Sequence, residues 1–193
     1  MENNLPRIDP NTILTAEYDY IVQTAMQANE DRARVSNYYL AAAGAAVAAI
    51  IGAGFDSPTP PGVTIGFSLL FAGLGVIGIL TLLQLARLRR AWRESVVAMN
   101  QLKDYYIAHC REIQLEKAFA WRGSTIPPAA KRNSLAYLLA LSVILIASAS
   151  LSAAYVYLCL TLDLPSAAQF MGAAAVFIAA GWFQLKIYDR WVG

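Results

Sequence analysis

Charge is scarce in this chain: Asp, Glu, Lys and Arg make up 15% of its 193 residues, against about 25% in a typical soluble domain. Residues 38–55, 63–86, 135–162 and 167–185 contain no Asp, Glu, Lys, Arg or His, over 18, 24, 28 and 19 positions. An apolar run of about 18 residues is long enough to cross a bilayer as a helix, and a soluble domain of this size cannot bury four of them. Cysteine is limited to Cys110 and Cys159, so no disulfide framework is implied. The lone histidine, His109, adjoins Cys110, and adjacent side chains diverge by about 100° on a helix, so no metal site is expected. Glycine-rich phosphate loops, Gly-x-Ser-x-Gly elbows and Cys-x-x-Cys pairs are all missing. The apolar runs hold no carboxylate or base, which disfavours proton-coupled transport and intramembrane proteolysis. Neither an enzyme nor a cofactor is therefore expected. Strict apolar–polar alternation is absent, which argues against an outer-membrane barrel. The opening MENNLPRIDPNT is polar and acidic, unlike a signal peptide.

What is present predicts an all-α helical membrane protein with four transmembrane helices and a cytoplasmic helical region. The expected parts are a cytoplasmic amphipathic helix (1–37), a first membrane hairpin (38–86), a cytoplasmic basic helix and loop (87–134), a second hairpin (135–185) and a cytoplasmic tail (186–193). Orientation follows from the basic residues. The turns at 56–62 and 163–166 have none, whereas segment 87–134 has ten against four acidic residues. Arg32 and Arg34 precede the first run, and Lys186 and Arg190 follow the last. The positive-inside rule therefore places both termini in the cytoplasm of a multi-pass protein of an inner or plasma membrane; the bacterial inner membrane is the expectation that comes with the resemblance given below.

Asp9 followed by Pro10 has the character of a helix start, with Asp as cap and Pro at the first helical position. Ile13, Leu14, Tyr18, Ile21, Val22 and Ala25 then recur at helical spacing, and no breaker intervenes before Gly44. The second run also enters charged sequence without a breaker. Leu85, Trp92, Met99, Tyr106 and Ile113 form a seven-residue series, and Leu88, Ser95, Leu102, His109 and Glu116 a second. A long helix leaving the membrane and packing on another is expected. Gly123, Pro127 and Pro128 end the pattern in a loop. The first 37 residues carry six acidic and three basic side chains, so they can dock on the basic segment. Alternatively, both are solvated faces.

The first apolar run contains eight alanines and three glycines. Gly44, Ala48 and Gly52 form a small-xxx-small ladder, Gly62 and Gly66 begin another, and Ser148, Ser150 and Ser152 give the third run a small polar patch. These residues either pack inside one four-helix unit or line a pore around an oligomer axis. Segment 87–134 interleaves cations with aromatics: Arg89, Arg90, Trp92, Arg93, Tyr105, Tyr106, Trp121, Arg122, Lys131 and Arg132. Arg89, Arg90, Arg93, Tyr105, Tyr106, Trp121, Arg122, Lys131 and Arg132 are the candidate ligand residues, since guanidiniums take phosphates and rings stack on bases. Anionic lipid headgroups are the competing partner for the stretch nearest the bilayer.

The stretches EYDYIVQTAMQANEDRARVSNYYL, LLQLARLRRAW and MNQLKDYYI resemble the cytoplasmic framework of small bacterial antiphage membrane effectors. These include the SLATT-type families and the transmembrane partner of Hailong-type systems. SLATT-type proteins commonly have one membrane hairpin, so the four-span Hailong-type layout is the nearer one. The resemblance implies a homo-oligomeric channel controlled by a nucleotide or oligonucleotide, made by a partner nucleotidyltransferase, and acting by membrane depolarisation. Duplex nucleic acid is not an expected partner. The alternative expectation is a non-conducting scaffold or regulatory subunit that holds a cytoplasmic protein partner.

Overall fold

The computed structural model describes residues 9–53, 60–109 and 134–192, together with positions 119, 123, 126 and 132. Four helices account for most of them: α1 (Pro10–Ala53), α2 (Pro61–His109), α3 (Leu135–Thr161) and α4 (Ser166–Val192). No strand occurs among the described residues. All four helices are long and apolar enough to cross a membrane.

Length sets their roles. At 1.5 Å per residue, α1 (44 residues) and α2 (49 residues) reach about 66 and 74 Å. A hydrocarbon core of about 30 Å takes up less than half of either. The 27-residue α3 and α4 are close to simple spans.

Local chemistry explains the boundaries. Asp9 caps α1, its carboxylate accepting from the Asn11 N–H at 3.1 Å and from the Thr12 hydroxyl at 3.3 Å. Ser134 caps α3 by accepting from the Tyr137 N–H at 3.3 Å. The end of α3 is a Schellman turn: the Leu164 N–H donates to Cys159 O at 3.0 Å and the Asp163 N–H to Leu160 O at 3.3 Å. This turn requires a left-handed residue, and Asp163 supplies it at φ 52°. Pro165 O then accepts the first amides of α4.

The chain divides into two compact units, one of Met1–Glu30 with Leu88–Ala129 and one of Asp31–Arg87 with Ala130–Gly193. In the second unit, α2 and α3 run antiparallel. Thr161 bonds Thr64 at 2.8 Å, Ser68 donates to Ala154 O at 2.9 Å, and Phe71 stacks on Tyr157 with centroids 5.9 Å apart. Further along, Gly75 faces Leu151 and Gly78 faces Ala147. The α2 positions 64, 68, 71, 75 and 78 alternate steps of four and three, the spacing of a left-handed coiled-coil seam. A Cβ on Gly78 would lie 2.5 Å from both Ala147 Cβ and Tyr39 Oη. Glycine is needed there because three helices meet at that level. Tyr39, 2% exposed, ties α1 in by donating to Leu74 O at 3.4 Å.

α4 packs on the other side of α3. Ser152 donates to Ala173 O at 2.8 Å, Gln184 reaches Ser148, and Tyr137 meets Tyr188 edge-on at 6.1 Å. Gly172 leaves room for Tyr155.

Candidate functional site

Two features carry the functional question: the cation–aromatic part of α2 in the first unit, and the outer face of α1 in the second. Both arise from helix continuity. No glycine or proline interrupts α2 between Leu82 and His109, so its register carries from the apolar run into the charged one.

That register splits neighbouring arginines. Arg89 is 7% exposed, with its guanidinium 4.7 Å above the Trp92 ring, three residues on. Arg90, one step round the helix, is exposed and pairs with Glu94, Nε to Oε1 at 2.9 Å. Arg93 is exposed. Towards the helix end, Tyr105 stacks on His109 with centroids 4.1 Å apart and meets Tyr106 edge-on at 6.3 Å. His109 Nδ1 lies 2.9 Å from Tyr105 O, one turn back. Lys103 extends over the Phe119 ring at 5.7 Å.

Arg90, Arg93 and Tyr105 are thus the exposed members of the candidate ligand set, while Arg89 is buried and Tyr106 half-buried. Arg132 is exposed but belongs to the second unit. Trp121, Arg122 and Lys131 lie outside the described residues. Of the two seven-residue series, the first has Leu85 buried and Trp92, Met99 and Tyr106 half-buried, the second has Ser95 buried, Leu88 and Leu102 half-buried and His109 exposed, and Ile113 and Glu116 lie outside the described residues. On α1, Ile21 is buried, but Ile13 and Tyr18 are 54% and 42% exposed.

Asn100 was not singled out by sequence. It is 6% exposed; its Nδ2 donates to Val96 O at 2.9 Å, and Oδ1 has no partner among the described residues. A polar residue between two apolar series was the available signal, and it was too common to stand out.

In the second unit, Gly44, Ala48 and Gly52 are all exposed. A Cβ on Gly44 or Gly52 would meet nothing within 4 Å. The ladder is therefore open rather than packed on the chain's other helices, which α1 meets through buried Tyr39, Ala43 and Ala46. Gly62 and Gly66 are open in the same way. Ser148 and Ser152, by contrast, sit against α4. An apolar groove of about 460 Å³ opens between α1, α2 and α3, lined among others by Gly44 itself, Leu40, Val47, Phe71 and Ile146, with Ser150 contributing the hydroxyl. Its size lies within the range of about 300–1,000 Å³ typical of ligand sites.

Among the described residues no group of three or more His, Cys, Asp or Glu side chains is placed to hold a metal ion. No protein-family model, curated protein or solved structure matches the chain.

Proposed function

We propose that this chain is the subunit of a homo-oligomeric channel of the bacterial inner membrane, controlled by a cytoplasmic nucleotide or oligonucleotide and acting in antiphage defence by depolarising the cell. The observation that carries the reading is the exposed, unpacked ladder of Gly44, Ala48 and Gly52. Lipid-facing helices present large apolar side chains, as α4 does with Phe170, Met171 and Ile178, each at least 68% exposed. Small residues instead allow two backbones to approach, which is how helices associate where water supplies no driving force. The α1 face suits another copy of the chain better than it suits lipid.

Orientation rests on the basic residues, which cluster at one end of the apolar segments, and the positive-inside rule favours both termini and the α2 extension in the cytoplasm. Exposed Arg90, Arg93 and Tyr105 on that extension supply charge for phosphates and a ring for a base. Defence and the nucleotidyltransferase partner rest on the resemblance to Hailong-type effectors.

The test is membrane potential in cells expressing the chain, read with a voltage-sensitive dye, beside a Gly44→Leu/Gly52→Leu variant. Depolarisation by the parent and its loss in the variant, at equal membrane abundance, is the expected result. Full depolarisation by both overturns the assigned face, and no depolarisation with or without infection overturns the channel.

A second reading, a non-conducting scaffold, is favoured by the exposed Ile13, Tyr18, Tyr20 and Met26 on α1, which suit a protein partner. It predicts hetero-complexes without conductance.

A further inference from the structure

The outer face of α4 grades from apolar to cationic along one stripe. Met171, Ile178, Trp182, Lys186 and Arg190 are separated by steps of seven, four, four and four, so they lie on one side of the helix. Met171, Ile178 and Trp182 are 75%, 68% and 63% exposed, and Lys186 and Arg190 are exposed as well. The uncharged run ends at Leu185, so Trp182 stands one turn before Lys186, the first charge of the stripe, where an indole suits the membrane–water interface.

Side-chain direction makes this more than a helix end. Helical side chains lean towards the N-terminus, which in α4 means back towards the bilayer. Lys186 does so: its Nζ lies 5.9 Å from the centroid of the Trp182 ring. The ammonium is thereby held beside an indole whose N–H is a second donor, with the Arg190 guanidinium one turn further on. Neither Lys186 nor Arg190 has a carboxylate within ion-pair distance among the described residues. Asp189 is the acidic residue of this stretch of the helix, against two cations.

From this we infer that the C-terminal end of α4 is a docking surface for one anionic phospholipid. Its phosphate sits among Lys186, Arg190 and the Trp182 N–H, and an acyl chain lies along Ile178 and Met171. Charge complementarity decides the class of lipid. A zwitterionic headgroup brings its own cation to a site already cationic, whereas an anionic one does not. The inference does not depend on channel activity.

The test uses the full chain in vesicles of phosphatidylcholine, with Trp92, Trp121 and Trp191 changed to Phe so that Trp182 alone fluoresces. Phosphatidylglycerol or phosphatidylcholine brominated on the acyl chain is added as quencher. Brominated phosphatidylglycerol is expected to quench more at equal mole fraction, with a preference of about fivefold per cation. Lys186→Gln/Arg190→Gln should abolish the preference while quenching by brominated phosphatidylcholine stays unchanged, which shows the helix still inserted. Lys186→Arg should retain it. Equal quenching by the two lipids overturns the inference, as does a preference that survives the double substitution. If the three-Phe background does not insert, the phosphatidylglycerol that copurifies with the parent and with Lys186→Gln/Arg190→Gln decides by the same comparison.

Discussion

Gln184 donates its Nε2 to Ser148 Oγ at 3.2 Å, and both residues are completely buried between α4 and α3. Gln184 Oε1, equally buried, has no partner among the described residues. The bond joins the two helices at a point that both residues keep from contact with solvent. Its two ends are unequal, because removing one partner leaves different debris from removing the other.

Ser148→Ala strands the whole Gln184 amide, so it should destabilise the chain by about 1–2 kcal/mol. Gln184→Leu removes both the bond and the unpaired carbonyl and should be nearly neutral. The double substitution should therefore lie closer to the parent than Ser148→Ala does. Reversible unfolding in mixed detergent and SDS micelles measures all three, and a neutral Ser148→Ala would show that the bond contributes nothing.

Glycines that look alike by spacing should behave in opposite ways. Gly78→Ala drives a methyl against Ala147 and Tyr39, and overpacking of this kind costs about 1–3 kcal/mol. Gly44→Ala and Gly52→Ala meet open space and, alanine being the better helix former, should leave the isolated chain at least as stable. The same micelle titration separates them; equal losses at Gly44 and Gly78 would contradict the packing described.

The four spans could be read from sequence because uninterrupted apolar length is itself the physical requirement for crossing a bilayer. The start of α1 was equally visible in the pairing of a capping Asp9 with Pro10. Which face of each span packs could not be read. Inside a membrane every side of a helix is apolar, so periodicity loses its meaning. Gly75 and Gly78 pack closely while the more regular Gly44, Ala48 and Gly52 ladder does not. The candidate ligand set was blurred for a related reason. Arg89 and Arg90 read as one basic cluster, but adjacent positions point about 100° apart, and the helix buries one and exposes the other. The partnership of Gln184 with Ser148 depends on the register of a hairpin, which no local pattern records.

The turn after α3 offers a stabilising change. Asp163 holds φ 52°, where a side chain is strained and glycine is not. Asp163→Gly should stabilise the chain by up to about 1 kcal/mol, and Asp163→Val should destabilise it by about 1–2 kcal/mol. Midpoints of thermal unfolding in detergent report both. A lower midpoint for Asp163→Gly would mean that the Asp side chain contributes more than its backbone costs.

The proposed nucleotide surface makes a prediction with two opposite signs. Arg90 is held by Glu94 through an exposed ion pair, and such pairs are worth about 0–1 kcal/mol. Glu94→Gln releases the guanidinium and removes a repelling carboxylate, so binding of a phosphate-bearing ligand should tighten by about two- to fivefold. Arg93→Ala removes an exposed cation from the same stretch and should weaken it by a similar factor. A fluorescently labelled single-stranded trinucleotide of mixed sequence is a suitable probe, titrated against the full chain in nanodiscs of phosphatidylcholine. Both effects should shrink as salt is raised, because exposed charges are screened over about 10 Å at 0.1 M. If Glu94→Gln and Arg93→Ala move affinity in the same direction, electrostatics at this surface does not govern binding. The nucleotide would then have to be sought elsewhere on the chain.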